Sequence, residues 1–188
     1  MGARSGADRP GRRPLNARLP AALVVAGGAV ELRRATAADL PALIALLADD
    51  ELGARREEAD GDLRPYRVAF DRLDADPAHL LVLAVADEVA VGTLQLSLLP
   101  GLSRRGALRA QVEGVRVASG ARSRGLGAAM LGWAIEEARR HGCALVQLTT
   151  DKTRADAARF YERLGFVATH EGLKLPLTGI NALPDAPR

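Results

Sequence analysis

Alternating apolar and polar residues mark the strands of this chain. Val30 to Arg34 shows the period of two that is typical of a β-strand with one buried face. Two longer apolar runs are separated only by Asp87-Glu88, which is the pattern of an antiparallel hairpin. Ala144 to Thr149 is a compact apolar run that we expect to be buried on both faces. Together the patterns predict strands over residues 30–34, 80–86, 89–99, 108–117, 144–149 and 166–175.

Helical periodicity occupies the segments between these runs. Thr36 to Asp39 has the spacing of a capping box, and apolar residues recur behind it at helical intervals. Thr153 to Asp156 is a second capping box, which opens a helix that Gly165 ends. Further helices are predicted over residues 66–73 and 125–140, and residues 49–65 form a loop or an irregular helix. The order βααβββαβαβ predicts one α/β domain with a mixed, mostly antiparallel sheet and about four helices.

The charge of the chain is concentrated at its beginning. The 188 residues are 48% hydrophobic and 26% charged, which is typical of a globular protein. Residues 1–20 carry a net charge of +4 and the whole chain +3, so the remainder is close to neutral. This distribution disfavours a nucleic-acid-binding face on the folded part. We predict a flexible Arg/Gly/Pro-rich extension over residues 1–29, a domain over 30–176 and a tail over 177–188. The extension is either dispensable or an RNA- or partner-binding arm.

Membrane insertion and secretion are both disfavoured by the sequence. No apolar run approaches the ~20 residues that span a bilayer. Residues 21–30 are apolar and follow basic residues, so a signal peptide is the competing interpretation. The apolar block is weak, however, and the single cysteine implies no disulfide framework. We therefore predict a cytoplasmic protein without a metal site, since the three histidines are scattered and Cys143 follows a helix end as core packing would.

The fourth predicted strand changes its buried face midway. Apolar residues occupy even positions from Leu108 to Val112 and odd positions at Val115 and Val117. A regular strand cannot do this, because its side chains alternate with period two. One extra residue at Glu113-Gly114 would form a β-bulge that accommodates the switch. A strand that is irregular without functional purpose is the alternative.

A glycine-rich turn follows this strand and leads into the long helix. Helix N-termini present unpaired N–H groups and a partial positive charge, and glycines let an anion approach them. Arg122 and Arg124 would add formal charge. A P-loop is disfavoured because Leu126-Gly127 follows Gly125, and a dinucleotide fingerprint is disfavoured because its third glycine position is Met130. The sequence thus indicates an anion site other than those for ATP or NAD.

Three motifs together resemble one family. Arg122-x-x-Gly125-x-Gly127, with Val115-Arg116-Val117 before it, is similar to the coenzyme A motif of the GCN5-related N-acetyltransferase (GNAT) superfamily. Phe160 to Phe166 resembles its penultimate helix and the following turn, and Leu32 to Leu40 its first strand and helix. The resemblance covers about residues 30–175. It implies a splayed central strand pair, acetyl-CoA as co-substrate, and transfer to a primary amine through a tetrahedral intermediate.

The resemblance also assigns roles to residues. Tyr161 would contact the cofactor and donate a proton to the departing thiolate, although a half-buried aromatic without function is the alternative. Glu113 would be the base, or else a plain surface residue. Arg154 stands where the family often has asparagine, so its cofactor contact differs. The other cofactor-binding residues would be Val115, Arg116, Val117, Arg122, Ser123, Arg124, Gly125, Leu126, Gly127 and Ala128, with the Val115 N–H as the oxyanion donor.

The acceptor is less defined by the sequence. Acidic residues would attract a cationic amine, unless they belong to a solvated loop; they are Asp49, Asp50, Glu51, Glu57, Glu58 and Asp60. We expect a small-molecule amine rather than a protein N-terminus, and dimers are frequent in the family. The alternative is a catalytically silent acyl-CoA-binding interaction or regulatory module, which the unusual Arg154 and the basic extension motivate.

Overall fold

A single curled sheet organises the domain in a computed structural model that describes residues 15–57, 61–175 and 177. The strands lie in the sheet in the order in which they occur along the chain. Every neighbouring pair is antiparallel except β5 and β6, which are parallel. The described strands are β1 Ala21–Val25, β2 Gly28–Arg34, β3 His79–Ala86, β4 Val89–Leu99, β5 Arg109–Val117 and β6 Leu145–Gln147.

Helices cover both faces of the sheet, as expected for one α/β domain. The four longer ones correspond to the predicted helices, α2 adds one turn, and α4 is a short turn whose Arg104 and Arg105 have left-handed backbone angles. They are α1 Leu40–Ala48, α2 Glu51–Ala54, α3 Arg64–Ala75, α4 Ser103–Gly106, α5 Leu126–Arg140 and α6 Ala155–Arg163. Helix α5 packs Met130 and Leu131 against one face of the sheet, while α1 and α3 pack Leu43 and Phe70 against the other. The mixed, mostly antiparallel sheet is confirmed.

The domain begins earlier in the chain than predicted. Strand β1 lies within the segment assigned to a flexible extension, and it pairs with β2 along its whole length. Leu15 is only 2% exposed, and its N–H donates to the Pro77 carbonyl at 2.7 Å. The prediction of a boundary at residue 30 is therefore wrong for residues 15–29. The sequence of β1 is only five residues long, so it shows no clear alternation of apolar and polar residues. The strand is stabilised by its pairing with β2. Residues 1–14 lie outside the described part.

Two sequence predictions near the C-terminus are also wrong. Residues 166–175 form no strand, and β6 is shorter than predicted and half-buried rather than buried on both faces. Strand β6 pairs with β5 on one side, and no described strand pairs with its other side. Strand β6 is therefore an edge strand of the described sheet, and its residues are half-buried. Most of the tail over residues 177–188 lies outside the described residues.

Only the first capping box exists. The Asp39 carboxylate accepts hydrogen bonds from the Thr36 N–H at 2.7 Å and from its hydroxyl at 2.8 Å. At the second site the helix begins at Ala155, and no side chain caps it. Thr153 instead donates to Asp151, and Asp156 pairs with Arg159. An Asx turn at Asp151 forms in place of the capping box. Its carboxylate accepts from the Thr153 N–H and hydroxyl, the two groups that the capping box would have used.

Gly92 allows β4, β5 and α5 to approach closely. A Cβ at this position would lie 2.9 Å from the Met130 sulfur and 3.0 Å from the Arg116 carbonyl oxygen. We expect Gly92→Ala to lower the free energy of unfolding by about 1–3 kcal/mol, because backbone must shift to accept the methyl group. Urea denaturation measures this. Gly132→Ala is the control, since that exposed helical glycine has open space around it and the substitution should be neutral or stabilising. Equal denaturation midpoints for the two variants would contradict the close packing.

Candidate active site

Strand β5 contains the predicted bulge. Thr93 of β4 is opposite Arg116, and Gln95 is opposite Glu113, so two steps along β4 match three along β5. The extra residue falls beside Gly114, whose φ of 59° is in the left-handed region that favours glycine. The inserted residue lets the strand change its buried face, as the hydrophobic pattern predicts.

A gap opens between β5 and β6 beyond this bulge. The two strands pair only at residues 109–111 of β5, so the rest of β5 has no partner in β6. The Ala118 N–H donates to the Val91 carbonyl at 2.9 Å on the β4 side. Because backbone groups alternate along a strand, the N–H and C=O groups of Val115 and Val117 point into the gap. The splayed pair is therefore present. The Val115 carbonyl accepts from the Arg116 guanidinium at 2.9 Å and the Val117 carbonyl from that of Arg122 at 3.0 Å, so the N–H groups of the two valines are the candidate donors to a thin amide-containing chain.

The glycine turn places the N-terminus of α5 at the end of this gap. Gly125 is the N-cap residue with φ 86°, and no side chain caps the helix. The first intrahelical bond runs from Ala129 N–H to Gly125 C=O at 3.0 Å, which leaves the earlier N–H groups without helical partners. A Cβ at Gly125 would meet nothing within 4 Å. This open, donor-rich turn fits a pyrophosphate.

The two arginines of the turn differ in their contacts. The Arg122 guanidinium donates to the Asp49 carbonyl at 2.6 Å, to its carboxylate at 3.2 Å and to the Val117 carbonyl at 3.0 Å. Asp49 also accepts from the Ser119 N–H at 2.6 Å. Arg122 thus ties the turn to the end of α1. Arg124 has an exposed side chain, and its carbonyl accepts from the Ala26 N–H of the β1–β2 turn at 3.1 Å.

Gly127 serves packing as well as access. Its Cβ, if present, would lie 3.3 Å from the Phe160 ring and 3.6 Å from a Val117 methyl group. The absent side chain therefore lets α5, α6 and β5 meet at the base of the gap. Leu126 beside it is buried in the core. Glycine at position 127 therefore allows both close packing and access to the helix N-terminus.

Tyr161 lies half-buried on α6. Its ring packs against Phe160 at 5.3 Å and Phe166 at 5.9 Å between centroids. Burial raises the pKa of the Tyr161 phenol above its usual value, although the nearby Arg154 and Arg116 oppose this. The phenol therefore carries its proton at neutral pH, which suits a proton donor.

Glu113 is exposed at the bulge, where its backbone is opposite Gln95. The bulge turns this carboxylate away from the packed face. Among the described residues, none forms a hydrogen bond or ion pair with the Glu113 side chain. Its role as the base therefore stays a prediction.

Most described carboxylates of the acidic segment have arginine partners. Asp49 binds Arg122, Glu51 pairs with Arg55 at 2.7 Å, and the Glu57 carboxylate accepts from the Tyr66 hydroxyl at 2.9 Å. Asp50 contacts two arginines, Arg154 at 2.9 Å and Arg116 at 3.8 Å. Glu58 and Asp60 lie outside the described residues. Among the described carboxylates, Asp49, Asp50 and Glu51 are paired with arginines, and a rim that attracts cationic amines stays a prediction.

Arg154 uses its side chain for Asp50, and no described contact directs it toward the phosphate turn. Burial raises the pKa of the Cys143 thiol, in agreement with a packing role. Among the described residues, no three histidine, cysteine or acidic side chains converge as a metal site would require. In the same residues no helix is long and apolar enough to cross a membrane.

A bulged strand splayed from its parallel neighbour, with an open helix N-terminus at the end of the gap, defines an acyltransferase of the GNAT type. The model of the acetyltransferase (GNAT) family matches residues 40–166, and the chain belongs to this family, as its motifs predict.

Known proteins similar to this chain include acetyltransferases and a transcriptional regulator. An aminoalkylphosphonate N-acetyltransferase from Salmonella typhimurium is 31% identical over 143 residues, which cover 74% of this chain and 86% of the relative. A transcriptional regulator from Bacillus halodurans C-125 has a crystal structure with a TM-score of 0.75 at 47% identity, covering 79% of this chain and 99% of that one. A putative acetyltransferase from Agrobacterium tumefaciens C58 gives 0.68 at 29% identity, with coverages of 77% and 98%.

Proposed function

We propose that this enzyme transfers the acetyl group of acetyl-CoA to the primary amine of a small molecule. The observation that carries the proposal is the gap between β5 and β6, which ends at the uncapped N-terminus of α5. A pantetheine arm would bond to the backbone of Val115 and Val117, and the pyrophosphate would accept from the N–H groups between Arg122 and Ala128. The proposal includes a cytoplasmic location, which stays a prediction, as does dimerisation.

The chemistry needs two proton transfers by side chains. The amine nitrogen loses a proton to Glu113, directly or through water, and attacks the thioester carbonyl carbon. The Val115 N–H would stabilise the oxyanion that forms. When the C–S bond breaks, its electron pair stays on sulfur, and the Tyr161 hydroxyl donates a proton to that thiolate. As the intermediate collapses its nitrogen releases a second proton to solvent, Glu113 releases the proton that it took, and the tyrosine recovers one. The products are the acetamide and free coenzyme A, with one net proton released for each protonated amine.

The Salmonella relative supports a small-molecule acceptor. The test is release of free thiol from acetyl-CoA in the presence of aminoalkylphosphonates, amino sugars, other small amines, and peptides with free N-termini. We expect turnover with at least one small amine, and with aminoalkylphosphonates first. Acetylation confined to peptide N-termini would contradict the proposed acceptor class.

Arg124 is the cation of the turn that we expect to contact a cofactor phosphate, since its side chain is exposed there. We expect Arg124→Gln to raise the Kd for coenzyme A about tenfold, the lower end of what a charge-assisted hydrogen bond contributes. Calorimetric titration at low and high salt measures it, and the difference from wild type should shrink as salt rises. Arg105→Gln, at an exposed arginine in α4, is the control. Equal affinities for the two variants would remove Arg124 from the site.

A catalytically silent regulator is the second candidate, and the 47% identical transcriptional regulator from Bacillus halodurans motivates it. It predicts coenzyme A binding without acetylation of any amine in the panel. It also predicts that removal of the basic extension abolishes binding to a nucleic acid or protein partner. The deletion should end at residue 14, because β1 and Leu15 belong to the folded domain.

A further inference from the structure

Two arginines share one carboxylate beside the bulge of β5. The Oδ2 atom of Asp50 lies 2.9 Å from the guanidinium of Arg154 and 3.8 Å from that of Arg116. Its Oδ1 atom accepts from the Gly53 N–H at 2.6 Å, which caps α2. Arg154 is the N-cap residue of α6, so one carboxylate joins α2, β5 and the beginning of α6. Arg116 and Arg154, called the arginine pair below, are therefore neighbours across a single oxygen atom.

The arginine pair carries more positive charge than its surroundings balance. Arg122 has its own carboxylate in Asp49, and the Glu57 carboxylate accepts from the Tyr66 hydroxyl. Among the described carboxylates, Asp50 alone lies within ion-pair distance of the arginine pair. The exposed fractions are 17% for the Arg116 side chain and 37% for that of Arg154. One positive charge is thus left over in a partly buried place, where water screens it less than at the surface.

Both guanidiniums also have donors available. Arg116 donates through Nη1 to the Val115 carbonyl at 2.9 Å and through Nε to the Leu47 carbonyl at 3.5 Å. Arg154 donates through Nη2 to Asp50. A guanidinium has five N–H donors, and no described residue accepts from Nη2 of Arg116 or from Nη1 of Arg154. Available donors and surplus charge together suit the oxygens of a phosphonate, phosphate or carboxylate group.

The strand register places the arginine pair next to the predicted base. Glu113 is opposite Gln95 and Arg116 is opposite Thr93, two positions along β4. The side chains of Glu113 and Arg116 therefore lie on the same face of the sheet, with their backbones about 7 Å apart along the strands. The bond to the Val115 carbonyl draws the Arg116 guanidinium back towards Glu113 and the gap. A molecule whose amine reaches Glu113 can thus reach the arginine pair through a short carbon chain.

We propose that the arginine pair binds an anionic group of the acceptor, which makes the acceptor a short amine that also carries a phosphonate, phosphate or carboxylate. This inference rests on the proposed function and narrows its acceptor class. The amine faces the Glu113 carboxylate and the anion faces the two guanidiniums, so the site complements both charges of such a molecule. Asp50 holds the two guanidiniums in place between α2, β5 and α6.

Arg154→Gln tests the proposal with two acceptors of nearly the same shape, 3-aminopropanoate and the uncharged 3-aminopropanamide. We expect kcat/KM for 3-aminopropanoate to fall about tenfold, the lower end of what a charge-assisted hydrogen bond contributes. The value for 3-aminopropanamide should stay near that of wild type, because the amide carries no anion. Arg159→Gln is the matched control on the same helix, where the side chain is 60% exposed and pairs with Asp156. It should change neither value.

Asp50→Asn tests the same charge in the opposite direction. Asparagine caps a helix as well as aspartate does, so α2 keeps its N-cap while the arginine pair loses its only described counter-charge. We expect kcat/KM for 3-aminopropanoate to rise several-fold and that for 3-aminopropanamide to stay unchanged. Impaired folding would lower both values, so it cannot imitate this result.

Three results overturn the inference. The first is a loss in Arg154→Gln that is equal for the two acceptors or no larger than in Arg159→Gln. The second is a fall in kcat/KM for 3-aminopropanoate in Asp50→Asn. The third is wild-type acetylation of uncharged amines with no acetylation of 3-aminopropanoate or 2-aminoethylphosphonate.

A binding measurement separates this inference from the proposed function. Protein saturated with coenzyme A is titrated calorimetrically with 2-aminoethylphosphonate, which requires no turnover. We expect Arg154→Gln to raise the Kd about tenfold and Arg159→Gln to leave it unchanged. If this holds and no amine is acetylated, the proposed function fails and an anion-binding site remains. If amines are acetylated without regard to their charge and the Kd values are equal, the inference about the arginine pair fails alone.

Discussion

Tyr161→Phe is expected to lower kcat for amine acetylation about 100-fold, the lower range for loss of a general acid. The phenylalanine ring keeps the packing against Phe160 and Phe166, so only the hydroxyl is removed. Binding of acetyl-CoA should change little, because the phosphate turn lies on another element. Steady-state thiol release gives kcat, and calorimetric titration gives the affinity for coenzyme A.

Tyr66→Phe is the matched control, because it removes the hydroxyl of the other tyrosine, which donates to Glu57. We expect its kcat to stay close to that of wild type. Unchanged turnover in Tyr161→Phe would exclude Tyr161 from the mechanism. A parallel loss of coenzyme A affinity would instead point to a packing role for the ring.

Glu113→Gln is expected to lower kcat about 100-fold near neutral pH, where an alkylamine acceptor is protonated and needs a base. The loss should become smaller as the pH rises, because the amine then enters the site already deprotonated. Initial rates for wild type and variant across the pH range measure this convergence. Glu136→Gln provides the control, since that exposed carboxylate on α5 pairs with Arg139 far along the helix. A loss of equal size at every pH would show that Glu113 acts otherwise than as a base.

The central part of the fold could be read from the sequence because local patterns determine it. The change of face in β5 required one extra residue, and Gly114 with its left-handed φ supplies it. The glycine spacing of the turn predicted an open helix N-terminus, and the structure has one at Gly125. Both features depend on neighbours in sequence, where period and glycine content carry direct physical meaning.

The rest depends on contacts between residues that are distant in sequence. Arg122 binds Asp49, which lies 73 positions earlier, and Arg154 binds Asp50, 104 positions earlier. Nothing in the local pattern distinguishes these carboxylates from those of a solvated loop. Strand β1 was missed for a related reason, since its stability comes from pairing with β2 more than from its own composition. Glu113 lies on β5 beside the bulge, as the sequence predicts, and its role as the base stays a prediction.

The strand order has a consequence for how the chain assembles. Strands β1 and β2, β3 and β4, and β4 and β5 are joined by short connections, whereas residues 35–78 separate β2 from β3 and residues 118–144 separate β5 from β6. The β5–β6 pair is also parallel, so it needs a crossover, here the long helix α5. Pairs joined by a long connection carry a greater loop-closure cost. We therefore expect the β1–β2 hairpin and the β3–β4–β5 meander to form first, and the β2–β3 and β5–β6 pairings to form later in folding.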